Sequence, residues 1–167
     1  VDPSADSTFE SNESVVATIT AASTNGLALN VTTPSATGSI TDDDAAPAFS
    51  VSDVSISEGG LMTFTVTRSG DAQATQTVDF GTSITGSNTA EANDFSANSG
   101  TLSFAQGVTS QTFTVQTTQD GVYEGSETFT VSLSNATNGG LILDGTGVGT
   151  IVDDGSGPGP FDPSGPG

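Results

Sequence analysis

Asp120-Gly-Val-Tyr-Glu124-Gly-Ser-Glu127-Thr-Phe129-Thr-Val131-Ser-Leu133 organises the reading of this chain. Its second half alternates Phe129, Val131 and Leu133 with Thr and Ser, the period of two expected of a strand with one buried face. Its first half sets three acids on the spacing D-x-x-aromatic-E-x-x-E just ahead of that strand. The same spacing occurs at Asp6-Ser-Thr-Phe9-Glu10-Ser-Asn-Glu13, and Val15, Ala17 and Ile19 alternate after it. Both copies continue through a Gly-containing turn to matching ends, Gly38-Ser-Ile40-Thr-Asp42-Asp43-Asp44 and Gly149-Thr-Ile151-Val-Asp153-Asp154. A short Pro-bearing stretch and a Phe (Phe49, Phe161) follow each. A repeat of this kind means one structural unit used more than once. It divides the chain into a partial module over 1–44, holding only the last two strands, a short linker over 45–48, a complete module over 49–155, and a Gly/Pro/Ser-rich linker over 156–167.

The complete module reads as strand throughout. Met62, Phe64 and Val66 alternate with Thr; Val78 and Phe80 flank Asp79; Leu102 and Phe104 flank Ser103; Phe113 and Val115 alternate with Thr and Gln. Runs rich in Thr and Val with period two fit half-buried strands. Val51, Val54 and Ile56 break phase once, which predicts a bulge or kink in the first strand. Turn residues separate the runs at Glu58-Gly-Gly, Arg68-Ser-Gly-Asp, Ala105-Gln-Gly and Asn138-Gly-Gly. No run has helical periodicity. The expectation is an all-β, immunoglobulin-like antiparallel β-sandwich of about seven strands, near 49–57, 61–68, 75–84, 101–104, 109–118, 128–134 and 142–152.

Composition narrows the chemistry. The 167 residues contain 20 Asp or Glu, one Lys or Arg, no His and no Cys, for a formal charge of −19. Such a surface repels nucleic acid and anionic membranes, which bind through Lys and Arg. No apolar run approaches the ~20 residues of a membrane-spanning helix. Without His or Cys, zinc, haem and iron–sulfur centres lose their usual ligands, and a Ser–His–Asp triad cannot form. Without Lys there is neither a Schiff base nor a P-loop lysine. Carboxylates, hydroxyls and carbonyls remain, and these hard oxygen donors suit calcium.

The acids are also sorted in space. If each connection reverses direction, alternate loops lie at opposite poles of the sandwich. One pole then receives Glu58, Glu91, Asp94, Asp120, Glu124, Glu127, Asp153 and Asp154, and the other receives only Asp71. Solvated loop acids are the plain reading of any single residue. Carboxylates converging from four segments, however, repel one another unless a cation joins them or some take up protons. Ca²⁺ takes six to eight oxygens, which loops at one pole can supply, whereas Mg²⁺ keeps more of its waters.

At these residues the sequence resembles the Calx-β domain family. The matching features are Val54-Ser-Ile-Ser-Glu58-Gly, Ala92-Asn-Asp94-Phe-Ser with Ser99-Gly-Thr-Leu-Ser-Phe104, the Asp120–Phe129 stretch, and Thr150-Ile-Val-Asp153-Asp154. The resemblance covers 49–155 fully and 6–44 in part. It implies an immunoglobulin-like sandwich of the kind found in sodium–calcium exchangers, integrin subunits and large bacterial surface proteins, with calcium at the acidic pole. Carried over by position, the ligands would be Glu58, Asp94, Asp120, Glu124, Asp153 and Asp154, with Glu127 as a further donor. Two departures reduce the expected number of ions to one or two. Gln119-Asp120-Gly121 stands where exchanger-type loops have consecutive acids, and Asp153-Asp154-Gly155 replaces a run of three.

The expectation is therefore a non-enzymatic, calcium-binding structural module in a tandem array. It would belong to an exported bacterial protein, secreted or at the cell surface, acting in adhesion or a surface fibre, with calcium stiffening the module junction. The missing Met and leader predict a mature fragment or a cut from a longer chain. The partners would be neighbouring repeats in the same chain or adjacent subunits, and either would complete the partial module. The alternative is a calcium-dependent carbohydrate- or ligand-binding module, and a third class, a two-carboxylate glycosidase, would need a cleft between paired acids. Tyr123, where the first copy has Phe9, predicts a packing role. Arg68 predicts an ion pair with a nearby acid. Asn12-Glu-Ser, Asn30-Val-Thr and Asn135-Ala-Thr match the glycosylation sequon.

Overall fold

A computed structural model describes residues 8–32 and 34–155. The linker expected over 156–167 and the acid Asp6 lie outside the described residues. The chain divides into two units, 1–45 and 46–167.

In the first unit, β1 (Glu13–Thr18) pairs antiparallel with β4 (Ser35–Ile40), and the short β2 (Ser23–Thr24) and β3 (Leu27–Ala28) close around Asn25-Gly26. Both turn residues have positive φ, 47° and 81°, the conformation a two-residue hairpin requires. None of the described residues of this unit is buried; Val16, Ile19, Leu27 and Leu29 are all exposed.

Among the described residues the second unit holds nine strands: β5 (Ala48–Val51), β6 (Val54–Ser57), β7 (Leu61–Ser69), β8 (Gln76–Ser83), β9 (Ser99–Phe104), β10 (Ser110–Gln116), β11 (Ser126–Ser134), β12 (Leu141–Asp144) and β13 (Thr146–Val152). They form one sheet of order β10-β7-β5-β12 and another of order β6-β13-β11-β8-β9. The inner faces meet in a Phe-rich core. Phe49, Phe64, Phe104 and Phe129 are fully buried, Phe80 stacks on Phe113 at 3.9 Å, and Phe95 stacks on Phe129 at 4.1 Å. Stacked and edge-on rings add specific geometry to their large buried area.

The phase break in the first strand is a change of sheet. β5 lies in one sheet and β6 in the other, and the crossing at Ser52–Asp53 is held by Ser52 N–H to Thr65 O and Val148 N–H to Asp53 Oδ1. The last strand divides likewise into β12 and β13. Consequently β5–β12 and β6–β13 pair parallel, while the remaining ladders are antiparallel. The all-β sandwich is as expected; its count rises from seven to nine because both terminal strands cross between sheets.

One packing expectation is corrected. Tyr123 is 55% exposed, so it does not fill the core. Arg68 is buried, and its guanidinium donates to the carbonyls of Ala72, Ala74, Phe104 and Ala105 and to Gln76 Oε1. Its cation also lies 5.7 Å from the Phe104 ring centroid. Burial lowers the Arg68 pKa and the charge of Asp71 opposes that fall, so Asp71 helps to hold the cation. Its main work is gathering backbone carbonyls at the pole opposite the acids.

Candidate metal centre

Three connections and the end of β13 form the acidic pole, and main-chain hydrogen bonds bring them together. After β6 the turn at Glu58 is tied on both sides. Glu58 N–H donates to Val152 O at 3.0 Å, and Gly59 N–H donates to Thr118 O at 3.0 Å. Thr117 N–H returns to Gly60 O at 3.0 Å, with Thr117 Oγ1 on the same carbonyl at 2.9 Å. The loop between β8 and β9 is stitched to the end of β10 by Thr118 N–H to Asp94 O at 2.7 Å, Ser96 N–H to Gln116 O at 2.8 Å, and a bridge between Phe95 and Thr117. Phe95 then stacks on Phe129, two residues beyond Glu127. The sequence Asp94-Phe95 thus buries its ring against β11 and sets the acid beside Glu127.

Two groups of carboxylates result. Within each, one oxygen per residue lies within 4.8 Å of the others: Glu58, Asp153 and Asp154 in the first; Asp94, Glu124 and Glu127 in the second. Both border a cleft lined by Glu58, Asp94, Asp120, Glu124, Glu127 and Asp153, with Thr118 and Gly125. Six of the seven acids named from the sequence therefore fall into one group or the other. Asp120 lines the same cleft but belongs to neither triplet, and its Oδ1 accepts Val122 N–H at 2.8 Å. Glu127 sits on β11 rather than in a loop, because that strand begins at Ser126. Sequence reading missed Gln119, whose amide reaches into the first group, and Thr118, whose neutral side chain carries no signal of a site.

The electrostatics are those of a site short of positive charge. Burial, then the Asp94 hydrogen bond and charge, then Glu124 and Glu91, push the Glu127 carboxyl up to about 7. Glu124 is raised by burial and by Asp94, Asp120, Glu91 and Asp153. Glu58 is raised by burial and by the carboxylates of Asp154 and Asp153, with a hydrogen bond from the Asp154 backbone opposing. Asp94 is 6% exposed and accepts Glu91 N–H. Asp153 is the sharpest case, since both of its carboxylate oxygens are buried and neither has a hydrogen-bond partner. Buried polar atoms are nearly always paired, so an orphaned carboxylate marks a place for something else. The donor set is all hard oxygen from several segments, which fits Ca²⁺ and fits neither zinc nor copper.

The fold that carries this cleft has known counterparts. The family model for the Calx-beta domain matches residues 41–155. The crystal structure of the apo-form Calx CBD1 domain superposes with a TM-score of 0.60 at 24% identity, covering 66% of this chain and 99% of that one. The structure of the calcium binding domain CBD12 of CALX1.1 superposes with a TM-score of 0.57 at 29% identity, covering 64% of this chain and 45% of that one. CBD12 from CALX1.2 gives 0.59 at 28% identity, with 64% and 44% covered. The chain thus spans about half the length of these CBD12 structures. No curated protein matches the sequence.

Proposed function

The chain belongs to the Calx-beta domain family, and from that premise we propose that residues 46–155 form a calcium-binding, non-catalytic structural module. The observation that carries the reading is Asp153: two buried carboxylate oxygens without a donor, in a cleft where further acids converge. Asp94, Glu124, Glu127 and Asp153 would hold the ion, with Asp120 beside them and with Glu58 and Asp154 on the other side of the cleft. Calcium supplies the positive charge that these carboxylates otherwise obtain only by taking up protons.

The module takes its place in a tandem array. Asp153 and Asp154 follow β13 directly, where the chain leaves the module, so an ion held there fixes the exit segment to the loops around Glu58, Asp94 and Asp120 and stiffens the junction. The register of β1 on β4 supports a repeated architecture. Glu13 faces Ile40 as Glu127 faces Ile151, and the correspondence runs through six pairs. An exported, cell-surface setting, in adhesion or a fibre, fits a charge of −19 and a Thr/Ser/Gly-rich composition. The experiment that tests the reading is calorimetric titration with Ca²⁺, together with melting in calcium and in chelator. Binding stabilises the folded state by mass action, about 2.7 kcal/mol at a hundredfold excess over Kd. Equal melting temperatures in calcium and chelator would refute it.

A further inference from the structure

One side chain among these acids is not an acid. Gln119 Nε2 donates to Glu58 Oε1 at 3.1 Å, to Asp154 Oδ2 at 3.0 Å and to the Asp120 carbonyl at 3.3 Å. Carboxylates only accept, so chemistry requires the NH₂ end of the amide to face them. Hydrogen bonds to ionised acceptors are the stronger kind. The amide therefore puts partial positive charge between two members of the first carboxylate group, where a bridging cation would act.

The position is built rather than incidental. Gly59 has φ +75°, and a Cβ placed on it would fall 2.7 Å from Gln119 Oε1 and 2.9 Å from Gln119 Cβ. The turn leaves room for this side chain by having none of its own, and Gly59 N–H binds the carbonyl just before Gln119. The two groups differ in this respect. Among the described residues no side-chain amide donates to Asp94, Glu124 or Glu127. The amide serves Glu58 and Asp154, and Asp153 is left with neither oxygen satisfied.

We propose that Gln119 is a built-in substitute for a cation at the Glu58–Asp153–Asp154 group, so that the module binds one calcium ion, at Asp94, Glu124 and Glu127 with Asp153, and holds the first group, Glu58 with Asp154, closed by an amide. This rests on the calcium reading above and decides its stoichiometry. Entry of a second ion requires the amide to turn and present Oε1, with loss of two charge-assisted hydrogen bonds. Gln119 thus separates the two groups by affinity and keeps Glu58 and Asp154 together when calcium is absent.

The test compares the full chain with Gln119→Glu, Gln119→Ala and Glu127→Gln by calcium calorimetry and by melting in chelator. The wild type should bind one ion per chain and Glu127→Gln none. Gln119→Glu should bind two, from a lower melting temperature in chelator. Gln119→Ala should also melt several degrees lower in chelator, a readout that needs no calcium. Two ions in the wild type, or one in Gln119→Glu, would overturn the inference and leave the calcium reading standing. An unchanged melting temperature of Gln119→Ala in chelator would likewise overturn it. No binding to either the wild type or Gln119→Glu would remove the calcium reading and the inference together.

Discussion

Replacing Asp153 by Asn should have opposite effects with and without calcium. In the absence of the ion, the Asp153 carboxylate is buried without a donor and faces other acids. A buried polar group left unsatisfied costs about 1–3 kcal/mol, and more when charged. Asp153 is half-buried as a residue, so the low end applies, about 1–2 kcal/mol. Asn removes the charge and brings an NH₂ group that can donate to Glu58 or Asp154 within the same group. In chelator, Asp153→Asn should therefore melt above the wild type, by about 4–8 °C at roughly 4 °C per kcal/mol for a unit of this size. In calcium the order should reverse, because the variant lacks a central donor and forfeits most of the ligand-linked gain of about 2.7 kcal/mol at a hundredfold excess. The assay is thermal unfolding of both proteins in chelator and across a calcium series. A variant that melts below the wild type in chelator would refute the account of Asp153 as an uncompensated charge. A calcium increment equal to that of the wild type would refute its role as a ligand.

Acidification should stabilise the calcium-free protein. The raised Glu127 carboxyl is protonated in both states below its unfolded value of 4.5 and ionised in both above about 7, so the penalty grows between these limits as pH rises. For this partly solvated group it amounts to about 1 kcal/mol, and melting at pH 5 should exceed melting at pH 7.5 in chelator, with the trend reversed in calcium as protons compete for the ligands. Phe95→Ala should cost about 3–5 kcal/mol for the lost ring and also weaken calcium binding, since Phe95 seats Asp94 against β11; a stability loss with unchanged affinity would contradict that coupling. Gly149→Ala should destabilise by about 1–3 kcal/mol, because its Cβ would press on the Phe129 ring, 2.5 Å from Cε1, and denaturant unfolding would detect it. Small-angle scattering of a tandem of two complete modules should show a more extended and defined shape in calcium than in chelator; an identical profile would count against a role at the junction.

By itself, the sequence determined the fold class and the pole of the site. Period-two runs of Phe and Val against Thr can bury one face only by stacking sheets, and reversal of direction at each Gly-bearing turn sorts Glu58, Asp94, Asp120, Glu124 and Asp153 to one end. These are local signals, carried by alternation and turn chemistry. The tertiary structure decided what depends on contacts between distant segments. The sheet crossing at Ser52–Asp53 had only a broken phase to announce it, and the one at Gly145 had no signal at all, since which sheet a strand joins is set by the partners it finds. For Arg68, a lone cation in an acidic chain suggested an acid nearby, and Asp71 acts on it; the carbonyls it gathers have no sequence signature. Tyr123 shares its spacing with Phe9, but the loop it occupies turns it to solvent. Within the site, the separation into two groups, the orphaned oxygens of Asp153 and the amide of Gln119 between Glu58 and Asp154 are matters of a few ångströms across four segments. Spacing along the chain brings acids to a pole, and only packing fixes which oxygens face each other and which donor stands between them.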